Sequence, residues 1–302
     1  MQALQVKEDG VYVDATYGRG GHARGILEKL GKQGRLLVFD RDPHACEDAR
    51  RQFGEDARVE VHQDSFSRLG RVIDELGLLG KINGILFDLG VSSPQLDDPR
   101  RGFSFRTEGP LDMRMDPLAG ESASDWINRA EENEIVGVLR DYGEERFARR
   151  IARAILRERS IAPIVTTRRL AEIVARAVPT REKSKDPATR TFQAIRIHVN
   201  QELDALTEAL PQSVNALAAG GRLVVISFHS LEDRAVKIFM RREARGRELP
   251  PGLPVRHDPS GKRLKIIGKA IRASDAEARS NPRARSAVLR VAERISGRTD
   301  LA

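Results

Sequence analysis

Apolar and polar positions along the chain change their period twice. In the first third, short β-rich runs alternate with helical stretches. Val11-Tyr-Val-Asp-Ala15, Arg35–Asp40, Val59–His62 and Ile82–Asp88 read as strands, with helices expected over His22–Leu30, Pro43–Phe53 and Ser67–Leu79. A β-α-β-α rhythm of this kind predicts an α/β fold, a parallel sheet covered by helices on both faces. After Pro94 the rhythm stops, and from Phe103 to Val199 the spacing is helical with polar loops. Asp141-Tyr-Gly-Glu144 has the form of a capping signature ahead of Phe147, Ile151, Ala154 and Ile155. A second helix is expected over Arg168–Val178, stopped by Pro179. Phe192, Ile195, Val199, Leu203, Leu206 and Leu210 then step by three and four, predicting one helix that Pro211 ends. The sheet pattern returns at Gly220–Ser227, and Ser230 with Asp233 is expected to cap a helix running towards Arg245. Late strands are expected within Arg263–Ile271 and Ser286–Arg294. The pattern predicts one α/β domain, residues 1–102 and 200–302, interrupted by a helical insert over 103–199 suited to substrate recognition.

Charge changes this picture more than composition does. The 302 residues are 40% hydrophobic and carry a net charge of +8. Residues 1–140 hold 19 basic and 25 acidic side chains, a balance of −6; residues 141–302 hold 33 and 19, a balance of +14. An acidic front and a basic back suggest a small-molecule site coupled to a polyanion surface. Aromatics are only 5%, which argues against an RNA platform of stacked rings. The one cysteine, Cys46, excludes an internal disulfide framework and a cysteine-based zinc site, and no metal is expected. No apolar run approaches the roughly 18 residues of a membrane span, and the first residues lack the apolar core of a signal peptide. A cytoplasmic protein without membrane contact is expected.

The candidate chemistry gathers where strands end. Asp14-Ala-Thr-Tyr-Gly18-Arg-Gly20-Gly21-His22 follows the first strand and leads into a helix, so its glycines let a ligand approach the backbone. Gly18-x-Gly20-x-x-Ala23 also fits the dinucleotide fingerprint. Asp40 closes the second strand about 20 residues on, where a carboxylate accepts ribose hydroxyls, leaving Asp42 to cap the next helix. Asp64-Ser-Phe66 places an acceptor and a ring where an adenine would lie. Asp14 favours S-adenosyl-L-methionine, a cation, over NAD, whose pyrophosphate an acidic neighbour repels. The fourth strand ends in Asp88-Leu-Gly90-Val-Ser92-Ser93-Pro-Gln95. An exocyclic base amine is a poor nucleophile because its lone pair is delocalised. Acceptors such as Asp88, Ser92 and Ser93 can hold its hydrogens and aim it at a methyl group.

Across these stretches the chain resembles the MraW/RsmH family, the N4-cytosine methyltransferases of small-subunit (16S) ribosomal RNA. The matching segments are Asp14–His22, Phe39–Pro43, Ile85–Asp98, Arg101–Phe105, Gly109–Asp116, Tyr142–Phe147, Pro187–Arg196, Ser227–Arg234 and Asn281–Arg285. Their number and order make the likeness specific. The resemblance implies a class I (Rossmann-like) S-adenosylmethionine methyltransferase sheet with an inserted all-helical domain. It implies cofactor contacts from Gly20, Gly21, His22, Asp40, Phe66, Asp88 and Gln95. It also implies a decoding-centre cytidine of 16S rRNA as target, in an assembled or nearly assembled small subunit, with no DNA partner. Family members usually carry a His-x-x-Val-Leu-Leu-x-Glu segment ahead of the first strand, which does not precede Val11 here.

A base must leave its stack to reach a buried methyl donor, at a cost of a few kcal/mol. Phosphate contacts from the basic half can offset it. The candidates are the Arg149/Arg153/Arg157 row, the loop with Lys183, Lys185 and Arg190, and Lys237, Arg241, Arg242 and Arg245. His229 is a candidate substrate contact, with a purely structural turn histidine the alternative. A nicotinamide dehydrogenase shares the glycine turn and Asp40, but the chain offers no dyad for hydride transfer. A methyltransferase of another substrate, or a non-catalytic RNA-binding assembly factor, remains open at this point.

Overall fold

A computed structural model describes residues 1–179, 186–248, 257–258 and 261–296. The chain divides into two compact units, residues 1–90 with 203–302, and residues 91–202.

The first unit is built on a sheet. Strands β1 (Val11–Asp14), β2 (Arg35–Asp40), β3 (Val59–Gln63), β4 (Ile82–Asp88) and β5 (Leu217–Ser227) run parallel. A separate ladder pairs β6 (Arg247–Glu248) with β7 (His257–Asp258). Three antiparallel strands, β8 (Leu264–Ile266), β9 (Ile271–Arg272) and β10 (Val288–Arg294), extend the main sheet. Its order is β3-β2-β1-β4-β5-β10-β8, with β9 also on β10. Alternate residues serve opposite faces. Val13, Leu37, Phe39, Ile85, Phe87, Leu223 and Val225 form one buried cluster. Tyr12, Leu36, Val38, Leu86 and Val224 form the other, against helices α1 (Gly21–Leu27) and α2 (Pro43–Phe53). Burial on both faces explains why these strands read as nearly continuous apolar runs. Helix α3 (Leu69–Glu75) lies on the first face.

The second unit is helical: α4 (Ser93–Asp97), α5 (Ala123–Arg129), α6 (Glu132–Asp141), α7 (Ala148–Arg159), α8 (Thr167–Ala177) and α9 (Ala188–Asn200). Trp126 is buried in its core, and its indole N–H donates to Glu134 Oε1 at 2.7 Å. The unit begins at Val91, earlier than the expected 103. The cause is packing: Val91, Leu96, Phe103 and Phe105 join the helical core.

Three further expectations are corrected. Asp141 is the last residue of α6 rather than a cap, and the side chain that meets the start of α7 is Glu145, whose Oε1 accepts from the Phe147 amide at 2.9 Å. The run from Phe192 to Leu210 is two helices, because Gln201 turns left-handed (φ 50) and α10 (Glu202–Ala216) starts afresh. Pro211 does not end α10. A proline inside a helix costs ~3 kcal/mol, but Leu206, Ala209, Leu210 and Val214 bury a continuous face on both sides of it.

The break at residue 201 is held by Asn200. Its Oδ1 accepts from the Met115 amide at 2.7 Å, and its Nδ2 donates to the Met113 and Arg196 carbonyls at 2.7 and 2.9 Å. Beside it, Arg196 and Glu202 form a two-pronged ion pair at 2.7 and 2.9 Å. Asn200→Ala strands buried backbone groups and is expected to cost about 2–4 kcal/mol, read as a lowered urea midpoint with an unchanged slope.

Candidate active site

The register of three neighbouring strands builds the site. Asp14, the last residue of β1, pairs with Val38 on one side and Leu86 on the other. Asp40 and Asp88 each lie two residues farther along their strands. Same parity means the same face, so all three carboxylates emerge together at the carboxyl edge. Two strand spacings, roughly 10 Å, separate the backbones of Asp40 and Asp88. The sheet order reverses here, since the chain leaves β1 outward to β2 and β3 and returns to β4 on the other side. Open α/β sheets bind ligands at such a switch point.

The glycine turn closes one wall. Tyr17 N–H donates to the Phe39 carbonyl at 2.9 Å, and Gly18 N–H to Asp40 Oδ2 at 2.9 Å. Gly20 has φ 70, and a Cβ there would lie 2.6 Å from the Tyr17 ring, so the turn demands glycine. Gly21 is exposed with open space where its Cβ would be, which leaves its backbone accessible. Tyr17 is held in place by its hydroxyl, which donates to Asp48 Oδ2 at 2.9 Å. As expected, Asp42 caps α2, accepting the His44 amide at 3.0 Å. Asp40 instead accepts the amides of Gly18 and Asp42, each at 2.9 Å.

Electrostatics set the site apart. Burial pushes the Asp14 carboxyl up to about 7, partly offset by His22 and the Thr16 amide. Burial likewise pushes Asp40 up to about 6 despite its two amide donors. His22 Nε2 stands 3.5 Å from Asp88 Oδ2. The imidazole is raised above its usual range, first by Asp88, against the pull of burial. Asp14 Oδ2 and Asp88 Oδ1 are buried with no hydrogen-bond partner among the described residues. Buried carboxylate oxygens without donors call for a ligand that brings cations or N–H groups. S-adenosyl-L-methionine, with a sulfonium and an ammonium, fits that demand.

Thr16 carries no signal in the sequence pattern, yet it ties the carboxylates together. Its amide donates to Asp14 Oδ1 at 3.2 Å, and its hydroxyl accepts the Asp88 amide at 2.7 Å. Phe66 begins a short 3-10 turn (Phe66–Arg68) just past β3, half-buried and edge-on to Phe87 at 5.5 Å. Beside it Asp64 receives Arg71 at 3.2 Å. At the end of β5, helix α11 (Ser230–Arg245) is capped one residue earlier than expected, by His229 and Glu232 rather than Ser230 and Asp233. Glu232 Oε2 accepts the amides of Phe228 and His229 at 2.9 and 3.3 Å, while His229 Nδ1 accepts the Glu232 amide at 3.4 Å. His229 Nε2 is 3.1 Å from Glu232 Oε1 but poorly aligned for a hydrogen bond. The His229 side chain is therefore built into the helix start.

Ser92, Ser93 and Gln95 belong to the second unit, where Gln95 is buried and its Oε1 accepts the Ser92 amide at 2.9 Å. In that unit Arg149, Arg153 and Arg157 are exposed along α7, with Arg153 in contact with Glu132 at 3.2 Å. Arg190 lies on α9, half-buried; Lys183 and Lys185 lie outside the described residues. No described helix is long and apolar enough to cross a membrane.

Residues 1–295 match the MraW methylase family. The ribosomal RNA small subunit methyltransferase H of Thioalkalivibrio sulfidiphilus is 59% identical over 297 residues, covering 98% of this chain and 95% of that one. The protein of the same description from Nitrosospira multiformis is 57% identical over 302 residues, covering 98% and 95%. Among solved structures, an rRNA methylase from Streptococcus thermophilus aligns at 10% identity over 96% of this chain and 90% of that one, with a TM-score of 0.44.

The sign of the Asp14 effect is testable. Its native carboxyl titrates near 7 and its unfolded one near 3.9, so the native state holds the extra proton between them. Stability from this group therefore falls as pH rises from about 4 through 7 and is level above. Asp14→Asn should gain thermal stability over the ligand-free parent as pH rises from 5 to 8, by several °C at pH 8. Parallel melting profiles would remove the assignment.

Proposed function

Because the chain belongs to the MraW methylase family, we propose that it methylates N4 of a decoding-centre cytidine in 16S ribosomal RNA. The methyl donor is S-adenosyl-L-methionine, which when bound supplies an electrophilic methyl group on its sulfonium. The target is the small ribosomal subunit, assembled or nearly so. The observation that carries this reading is the row of strand-end carboxylates, Asp40, Asp14 and Asp88, with unpartnered oxygens on Asp14 and Asp88. The likeness to small-subunit methyltransferases over nearly the whole chain supports the substrate class.

Each side chain has a distinct task. Asp40, already fixed by two backbone amides, keeps lone pairs for ribose hydroxyls. Phe66, edge-on to Phe87, offers a ring to the adenine. Gly21 leaves its backbone open to the donor, and Gly20, left-handed against Tyr17, sets the turn that presents it. Asp14, buried and raised to about 7, ionises fully only when a cation arrives. Asp88 has two jobs, because its Oδ2 faces His22 while its Oδ1 is unpartnered. That second oxygen can accept an N4 hydrogen of the flipped base, turning the nitrogen lone pair out of conjugation. On accepting the methyl group the nitrogen would have to shed one proton, and Asp88 would be an acceptor for it. His22, whose imidazole Asp88 raises above its usual range, can steady that carboxylate as it gains and loses the proton. Ser92 and Ser93 follow Asp88 in sequence and are further candidates to hold the base, with Gln95 fixing the turn that bears them.

Substrate binding draws on the basic residues 141–302, with Arg149, Arg153, Arg157 and Arg190 as phosphate contacts and Lys183 and Lys185 proposed from sequence alone. His229, being committed to the α11 cap, serves the substrate only by shaping the turn after β5.

Tritiated-methyl transfer to unmethylated small subunits, followed by mass spectrometry, should yield N4-methylcytidine. Asp88→Ala should lower kcat by 100-fold or more. Full transfer by that variant, or label on another nucleoside, would contradict the proposal. The KM for subunits should rise steeply between 50 and 200 mM salt, and a flat response would remove the phosphate contacts.

A further inference from the structure

The antiparallel strands bring a second group of basic residues to the same edge as the carboxylates. Strand β10 starts where β5 ends: Val288 pairs with Ser227 and Leu289 with Ile226. On its other side Leu289 pairs with Ile271 and Val288 with Arg272. Since Ile226 is also the partner of Asp88, one lateral row runs Asp88, Ile226, Leu289, Ile271. Three strand spacings, roughly 14 Å, separate its ends. Arg272 lies one residue farther out along the edge, and the 3-10 turn Pro282–Ser286 feeds β10 from the same side.

That turn carries Arg283 and Arg285, both exposed, as is Arg272. It is the Asn281-Pro-Arg-Ala-Arg285 segment, which neither the cofactor pocket nor the transfer step uses. Asn281 Oδ1 accepts the Arg283 amide at 3.2 Å and fixes the turn. Between residues 271 and 290 there are five arginines against two acids, Asp275 and Glu277. One arginine is structural: Arg290 grips Asp233 with two bonds of 2.7 and 3.0 Å. Asp233 is held below the usual carboxylate range by that grip, with Lys237 and Arg272 adding to the positive field. Just ahead of α11 the amides of Phe228 and His229 are already taken by Glu232. Guanidinium groups at this edge match phosphate oxygens two at a time.

We infer that Arg272, Arg283 and Arg285 form a rim that binds backbone phosphates of the RNA strand flanking the target base. This rests on the RNA-methylation reading above. Phosphate contacts here fix the register of the strand, so that one nucleotide rather than its neighbour stands over Asp88. The rim carries positive charge and no aromatic side chain between Ile271 and Arg290, so it positions the strand without stacking bases.

The test uses the full chain with Arg272→Gln and Arg285→Gln, singly and together, leaving Arg290 intact. KM and kcat for unmethylated small subunits are measured over a salt series, alongside filter binding of the subunits and calorimetry with S-adenosyl-L-methionine. The double variant should raise KM about tenfold and flatten the plot of log KM against log salt by about 1–2. Its kcat and cofactor affinity should stay at the parent's values, and Arg→Lys at both positions should recover part of the loss. Unchanged KM and slope would overturn the rim, and so would unchanged subunit binding. That result would also follow if the arginines served an acidic protein instead. Failure of the parent chain to methylate subunits would sink the functional reading instead, and filter binding would still decide the rim.

Discussion

Three carboxylates end three adjacent parallel strands on one face, and the molecule's chemistry follows from that placement. Burying Asp14 and Asp40 costs free energy that neighbouring amides and His22 only partly offset. A sheet does not end strands this way for its own stability. The turn at Gly18–Gly21, the cap at Asp42 and the Thr16 bridge each hold a carboxylate in place without neutralising it. The result is a sheet edge whose charge is complementary to a cationic nucleoside. Its fourth member, His22, stands 3.5 Å from Asp88 Oδ2 and leaves Asp88 Oδ1 unpartnered among the described residues.

Charge is divided by purpose along the chain. The acidic first half supplies the carboxylate edge, and the basic second half supplies surfaces that suit a phosphate backbone. The antiparallel strands do more than extend the sheet. By pairing back along β5 they carry arginines to the edge that holds Asp88. In the RNA-methylation reading proposed above, backbone contacts of this kind would offset the unstacking of a base and leave the recognition of its amine to the carboxylate edge.

Much of this was legible in the sequence, for physical reasons. Strands buried on both faces leave apolar runs, so β1, β2, β4 and β5 announce themselves, while the half-buried edge strand β3 alternates apolar and polar residues. Asp40 is a ligand candidate in the sequence because Asp42 stands two residues later to cap α2, and the structure shows that cap. What stayed hidden depended on partners distant in sequence. The break at Gln201 is fixed by Asn200 reaching Met113 and Met115, and nothing in the local spacing of three and four reports it. Local propensity marks Pro211 as a stop, whereas the face it interrupts is buried by the tertiary fold. The helical unit begins at Val91 because Val91 and Leu96 pack on helices much later in the chain. Thr16 and Glu232 act through hydrogen bonds to backbone amides, which leave no periodicity behind.

The claim that a cation completes the carboxylate edge is tested most directly by proton release. Titrating the chain with S-adenosyl-L-methionine at pH 6.5, in two buffers of different ionisation enthalpy, counts the protons exchanged on binding. A cation seated beside Asp14 forces that carboxyl to ionise, so net release of protons is expected, fading by pH 8.5, where Asp14 is already charged. Net uptake, or binding with no proton exchanged at either pH, would contradict it.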